Sequence, residues 1–107
     1  MTFFEEQLEQ GIFQIGYCKN CRTTLWPPKD ICHICHKKIE WKASKHLGTI
    51  IEFSKKDSTY FGLIEIDDGI RILGDILCHS EPKIGQSVKM NVSFHNKPHY
   101  SFIVENN

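Results

Sequence analysis

The sequence predicts a mostly β protein: a short N-terminal helix, a rubredoxin-like four-cysteine ribbon, and a five-stranded OB-fold barrel. Three observations carry that expectation. Two Cys-x-x-Cys pairs stand in "GYCKNCRTTLWPPKDICHICHKKIEW", residues 16–41. After Trp41, short β-branched and aromatic runs alternate with turn signals, about five strands in the last 60 or so residues. Beyond the first eleven residues, no stretch has the 3.6-residue periodicity of a longer helix. The corresponding segments are 1–11 for the helix, 12–45 for the ribbon and 46–107 for the barrel.

The opening "TFFEEQLEQG" reads as a helix because Thr2 and Glu5 have the spacing of a capping box. Phe3, Phe4 and Leu8 share one side, and Gly11 is placed to end the helix. A helix this short is marginal alone, so its aromatic side must pack, by default on the rest of the chain. "GIFQIGYC" leads as a strand into the first cysteine pair. "LGTIIEFS" at 47–54 is a strand, followed by the polar loop Lys55–Thr59. "YFGLIEI" at 60–66 and "IRILGDILC" at 70–78 flank Asp67-Asp68-Gly69, a hairpin signal. "GQSVKMNVSF" at 85–94 alternates Val88, Met90, Val92 and Phe94 on one face, and "YSFIVE" at 100–105 closes the series. Gly62 and Gly74 inside strands are expected bulge or bend positions. An SH3-like barrel is the alternative.

The chain has 107 residues with 40% hydrophobic and 24% charged residues, enough for one domain or two very small modules that lean on each other. No apolar run approaches the roughly 20 residues that span a bilayer, which together with a polar, acidic start leads to the expectation of a cytoplasmic protein with no membrane partner. Disulfides are rare in that compartment, which favours metal or redox chemistry for paired cysteines. The net charge is zero but uneven. Residues 1–10 hold three glutamates, and residues 19–45 hold seven Lys/Arg against Asp30 and Glu40. Residues 46–107 hold six Lys/Arg against eight Asp/Glu.

Cys18, Cys21, Cys32 and Cys35 have the spacing C-x2-C-x10-C-x2-C, which brings two chelating turns face to face. Four thiolates suit structural zinc, with iron as the alternative occupant. A thioredoxin-type redox site is disfavoured, since there are two motifs and no βαβ unit around them. His33 and His36 beside the second pair are expected at the knuckle surface. Zinc knuckles often place Gly after the second cysteine of each pair, whereas Arg22 and His36 stand there. Such a closed site supplies folding energy, on the order of 10–16 kcal/mol in small zinc modules, and leaves no coordination position for catalysis. Cys78, ending a core strand, is expected to be a buried small hydrophobe.

A ribbon beside an OB barrel raises single-stranded nucleic acid as a ligand, for which a basic groove with interleaved aromatics is wanted. The barrel segment is instead acidic on balance, and Phe53, Phe94 and Phe102 fall on apolar faces. Tyr60, Phe61, Arg71, His95 and Tyr100 are the residues left to line a groove, so nucleic acid is disfavoured. No Gly-rich phosphate loop, serine elbow or helical pair of metal histidines is present, so no catalytic residues are expected and the chain reads as a binding or scaffold module.

The order of these motifs resembles a family of small zinc-ribbon/OB-fold proteins associated with acyl-CoA enzymes. The likeness is carried by "GYCKNCRTTLWPPKDICHICH", the tryptophan of "IEW", "HLGTIIEFS", "YFGLIEIDDGIRILGDI" and "IGQSVKMNVSF", and runs from about residue 11 to 105. It departs in the two missing knuckle glycines and in a short N-terminus. The resemblance implies a non-catalytic subunit that docks with thiolase-like or hydratase-like enzymes and helps bind CoA thioesters. In archaeal members it implies bridging of acetoacetyl-CoA thiolase and hydroxymethylglutaryl-CoA synthase around a shared CoA site, on the way to mevalonate. Bacterial relatives imply the alternative of an accessory subunit in a degradative acyl-CoA pathway. Under this reading the residues offered to CoA are Lys37, Lys38, Lys42 and Lys45 in the basic segment, with Tyr60, Phe61 and Arg71 near the barrel.

Overall fold

The computed structural model describes residues 1–105, so the last two positions of the expected barrel segment lie outside the described residues. Helix α1 spans Phe3–Glu9. Its capping box is formed: the Glu5 N–H donates to Thr2 Oγ1 at 3.1 Å, and the Thr2 N–H donates to Glu5 Oε1 at 2.9 Å. At the other end the Gly11 and Ile12 N–H groups donate to the Leu8 and Gln7 carbonyls, both at 2.9 Å. This is a Schellman ending, and Gly11 supplies its left-handed φ of 80°. Phe4 and Leu8 are buried, whereas Phe3 stays 41% exposed with its ring 5.3 Å from that of Trp41.

The ribbon is a three-stranded antiparallel sheet of β1 (Gln14–Cys18), β2 (Thr23–Leu25) and β3 (Glu40–Ala43), in the order β2-β1-β3. The strand expected from residue 11 begins only at Gln14. Phe13 just before it is fully buried and gives its N–H to the side chain of His46, not to a ladder.

Five strands follow: β4 (Leu47–Lys56), β5 (Thr59–Glu65), β6 (Arg71–Leu77), β7 (Ser87–Phe94) and β8 (Pro98–Val104). They close as β4-β5-β6-β8-β7, with β6 and β8 parallel and the other neighbours antiparallel. This is the Greek-key closure of the OB fold, and the SH3-like alternative falls away. Ile50, Ile64, Ile72, Ile76, Val88, Met90 and Phe102 fill the interior, and α1 packs chiefly on β7. Phe53 and Phe94 are partly buried against this core, as is Cys78, which sits just past β6 and is not fully enclosed.

Two expectations need correction. The loop over Lys55–Thr59 contracts to Asp57-Ser58, because Lys56 and Thr59 still pair and Asp57 takes φ 56°, which a short polar side chain tolerates. Gly62 and Gly74 are not bulges; they face each other across β5 and β6. A Cβ on Gly74 would lie 2.7 Å from both the Phe102 ring and the Tyr100 carbonyl, and one on Gly62 would strike the Glu52 carbonyl. The glycines let β5 approach β4 and β6 approach β8 closely, while the register shift itself lies in β4 between Ile50 and Glu52. Asp67-Asp68-Gly69 does turn β5 into β6, as a single 3-10 turn with φ of 58° at Asp68 and 77° at Gly69.

Candidate functional site

The strand β1 delivers Cys18, the turn after it delivers Cys21, and the second knuckle brings Cys32 and Cys35 back over the sheet. All four sulfurs lie within 4.8 Å of one another. Cys18 and Cys35 are 3.5 Å apart and Cys21 and Cys32 are 3.9 Å apart. A tetrahedron of thiolates about 2.3 Å from a central ion has edges of about 3.8 Å, so the cage fits a four-thiolate metal ion. Cys18 and Cys32 are fully buried with Leu25, and Ile39 packs beside them, a core too small to hold the ribbon by itself.

Backbone donors prepare the sulfurs. An N–H contact from Lys37 draws the Cys35 thiol down to about 6 against the opposing effect of burial. The N–H groups of Cys35 and Ile34 lower Cys32, the latter at 3.4 Å from its Sγ. Burial, aided by the neighbouring sulfurs, pushes Cys21 up to about 12. The arrangement therefore already favours thiolate at two ligands, and a bound cation would draw the others down. Arg22 and His36 occupy the glycine positions of the two knuckles with φ of 54° and 61°. The left-handed turn that glycine ordinarily makes there is kept without glycine. His33 and His36 are both exposed and outside the sulfur cluster.

Ribbon and barrel are clasped through the turn between β5 and β6. Ser44 Oγ donates to Asp67 Oδ1 at 2.7 Å, and the Lys45 N–H donates to Asp67 Oδ2 at 3.2 Å. Burial raises the Asp67 carboxyl, but these two donors and the charge of Lys42 outweigh it and leave it below its ordinary value. Asp68 holds Lys42 Nζ at 3.1 Å and accepts from Thr24 Oγ1 at 3.5 Å. The double aspartate that reads as a turn signal is thus also the seam between the two modules.

The residues offered to CoA do not form one group: Lys42, Lys45 and Arg71 lie about the Asp67–Gly69 turn, and the others lie apart from it. Lys42 is paired with Asp68, and Arg71 with Glu65 at 3.2 Å. Lys37 reaches Asn20 at 3.4 Å on the knuckle, Lys38 beside it in the chain is exposed, and Lys45 is exposed at the clasp with Asp67. Tyr60 lies opposite Ile76 at one end of the β5–β6 ladder and Arg71 opposite Glu65 at the other. Tyr60 and Phe61 are successive strand residues and so face opposite ways. Tyr60 packs on Phe53, with Lys55 Nζ 5.6 Å over its ring. His95 and His99 lie together at the tip of the β7–β8 hairpin, rings 5.8 Å apart.

What sequence reasoning missed is a cleft of ≈ 350 Å³ where helix, ribbon and barrel meet, walled by Phe4, Trp26, Pro27, Trp41, Pro98 and Tyr100. Its aromatic rings are braced on Phe13: Trp26 at 5.5 Å, Tyr100 at 5.9 Å and Phe4 at 5.4 Å between centroids. Burial pushes the Tyr100 phenol up to about 12. The Trp-Pro-Pro between the cysteine pairs was the available signal, since apolar residues in a turn need a surface to lie on. A second, more polar cleft of ≈ 740 Å³ runs past Tyr60, Asp75, Leu77, Cys78 and Ile103.

No protein-family model matches the chain. It is similar to a DUF35 domain-containing scaffold protein of Methanocaldococcus jannaschii, 31% identical over 72 residues, covering 56% of this chain and 51% of that one. The match thus spans about half the length of that relative. Among solved structures, one named "Ltp2-ChsH2(DUF35) aldolase" superposes with a TM-score of 0.75 at 17% identity, covering 95% of this chain and 91% of that chain. A DUF35-family protein of unknown function from Sulfolobus solfataricus gives a TM-score of 0.66 at 18% identity, covering 95% and 82%. The fold is shared with both.

Proposed function

We propose that this chain is a member of the DUF35 family and a non-catalytic scaffold subunit of an acyl-CoA enzyme complex. In the sharper form, it bridges a thiolase and a hydroxymethylglutaryl-CoA synthase in the cytoplasm and helps form a shared CoA-thioester site for passage of the intermediate toward mevalonate. The observation that carries the reading is the closed sulfur cage clasped to the barrel. It holds two modules as one preorganised surface and leaves the ion no open position for substrate. Zinc is the occupant we assign to Cys18, Cys21, Cys32 and Cys35, with iron as the alternative; when bound it supplies folding energy and holds Trp26 and the knuckle lysines in place.

For the thioester, the aromatic cleft is the better receptacle for an apolar moiety, and Lys38 and Lys45 are the candidate lysines whose side chains show neither an ion pair nor a hydrogen bond among the described residues. Trp26 and Trp41 are the two tryptophans of the chain and both line the cleft, so intrinsic fluorescence reports its occupancy. Saturable quenching by acetoacetyl-CoA, reduced several-fold by Lys38→Glu with Lys45→Glu, is expected; no response to any CoA thioester, with or without partners, refutes the CoA site. Purification from native extract is expected to carry a thiolase and a synthase in fixed ratio. A hydratase, or a thiolase without the synthase, in their place would move the chain to the alternative of an accessory subunit in a degradative acyl-CoA pathway. Salt-labile nucleic acid with no CoA enzyme would replace the scaffold reading altogether.

A further inference from the structure

His46 stands at the joint of all three parts of the molecule, in the left-handed region at φ 59°. Its ring bridges two backbones. The Phe13 N–H, just before β1, donates to Nε2 at 3.1 Å, and Nδ1 lies 3.2 Å from the Met90 carbonyl on β7. An amide N–H can only donate, so Nε2 must carry the lone pair, which leaves the proton on Nδ1 to be given to Met90. Around the ring the main chain adds further ties: the Met90 N–H to the His46 carbonyl at 2.8 Å, the His46 N–H to Ser44 Oγ at 3.0 Å, and the Ser44 N–H to the Phe13 carbonyl at 2.8 Å. Ser44 hands on to Asp67.

We infer that His46 is a proton-released latch, which in its neutral form pins the Phe13 end of the ribbon to the barrel and lets it go when the ring takes up a proton. Protonation puts an N–H on Nε2 facing the Phe13 N–H, donor against donor, and that bond is lost. The Nδ1–H to Met90 bond survives and gains charge assistance. The ring therefore stays with β7 while the ribbon entry is freed. The charged groups around it are few. Asp67 is one hydroxyl away through Ser44 and favours the cation; Lys45 precedes it in the chain, and Lys89 on β7 pairs with Leu47, both opposing it. On α1, Phe4 and Leu8 turn inward, Glu6 and Glu9 are exposed, and Glu5 is held in the capping box. The release has a consequence, because the Phe13 ring braces Trp26 and Tyr100 in the walls of the aromatic cleft.

The test uses the metal-loaded full chain, with metal content checked at about pH 7.5 and about pH 5.5, either side of the range in which imidazoles take up a proton. Ring 15N shifts at the higher pH are expected to report the Nδ1–H tautomer. Amide exchange, corrected for intrinsic rate, should lose protection at Phe13 by about tenfold at the lower pH, as for one hydrogen bond removed, while Met90 keeps its protection. In His46→Asn, chosen because asparagine tolerates positive φ, the ratio of Phe13 protection between the two conditions should be close to one. An Nε2–H tautomer overturns the inference, as does equal Phe13 protection at both pH values. So does parallel loss at Phe13 and Met90, or a pH step that persists in His46→Asn.

Discussion

At His36 an L residue holds φ 61° immediately after the last metal ligand. Left-handed backbone costs such residues roughly 1–2 kcal/mol, and glycine's extra freedom in the unfolded chain takes back roughly 0.4–1. His36→Gly is therefore expected to be neutral or to stabilise by up to about 1 kcal/mol in thermal unfolding of the metal-loaded protein. His36→Val, β-branched in the same backbone, should lose about 1–2 kcal/mol relative to the parent. Tyr100 sets an alkaline limit. Burial holds its phenol at about 12, above the unfolded value near 10, so its contribution is complete below pH ~10 and fades as pH rises from there toward 12. One of the three tyrosines should ionise about two pH units late by ultraviolet absorbance, and Tyr100→Phe should remove part of the alkaline loss of stability. Asp67 works in the opposite sense. Its lowered carboxyl contributes above the unfolded value near 4, and the contribution is lost as pH falls through the folded value. Urea midpoints of Asp67→Asn should accordingly vary less with pH between about 2 and 5 than those of the parent.

At the scale of elements, the barrel closes because Gly62 and Gly74 allow β5 and β6 to come against Glu52 and Tyr100. Gly74→Ala has no flexible neighbour to displace the clash onto, since the Tyr100 carbonyl is backbone. A loss of about 2 kcal/mol or more is expected, read as a lower urea midpoint at unchanged slope. Helix α1 is seven residues long and owes its persistence to Phe4 and Leu8 beneath it; the capping box fixes only its start. These elements were legible as strings: the capping box, the Asp-Asp-Gly turn and the alternation of Val88, Met90 and Val92 are local patterns. Where a boundary moved, at Gln14 and at Asp57-Ser58, a long-range partner or a tolerated positive φ settled it, which local pattern does not encode.

At the scale of the molecule, two cores of unequal size share one seam. The barrel has its own interior of isoleucine, valine, methionine and Phe102, whereas the ribbon has little besides Leu25, Ile39 and the sulfurs. Removal of the metal by a strong chelator should thus abolish amide protection in β1–β3 and shift the emission of Trp26 and Trp41, while β4–β8 stay protected. Loss of both together would mean that the barrel depends on the ribbon, contrary to this expectation. The molecule contains no helix long and apolar enough to cross a membrane among the described residues.

By itself the sequence determined the helix, the cysteine cage and a run of barrel strands, because capping, chelating turns and period-two alternation act over a few residues. It brought the four cysteines into one cluster by spacing alone. The tertiary structure alone decided what those parts do to one another. Lysines that look free in the string are taken up by Asp68 and Asn20, and Arg71 by Glu65. Asp67, Ser44 and His46 become a seam, and Trp26, Trp41 and Tyr100 gather into a cleft from positions up to 74 residues apart. Charge pairing and aromatic packing depend on distances through space, and only the closed barrel and the metal-ready ribbon set those.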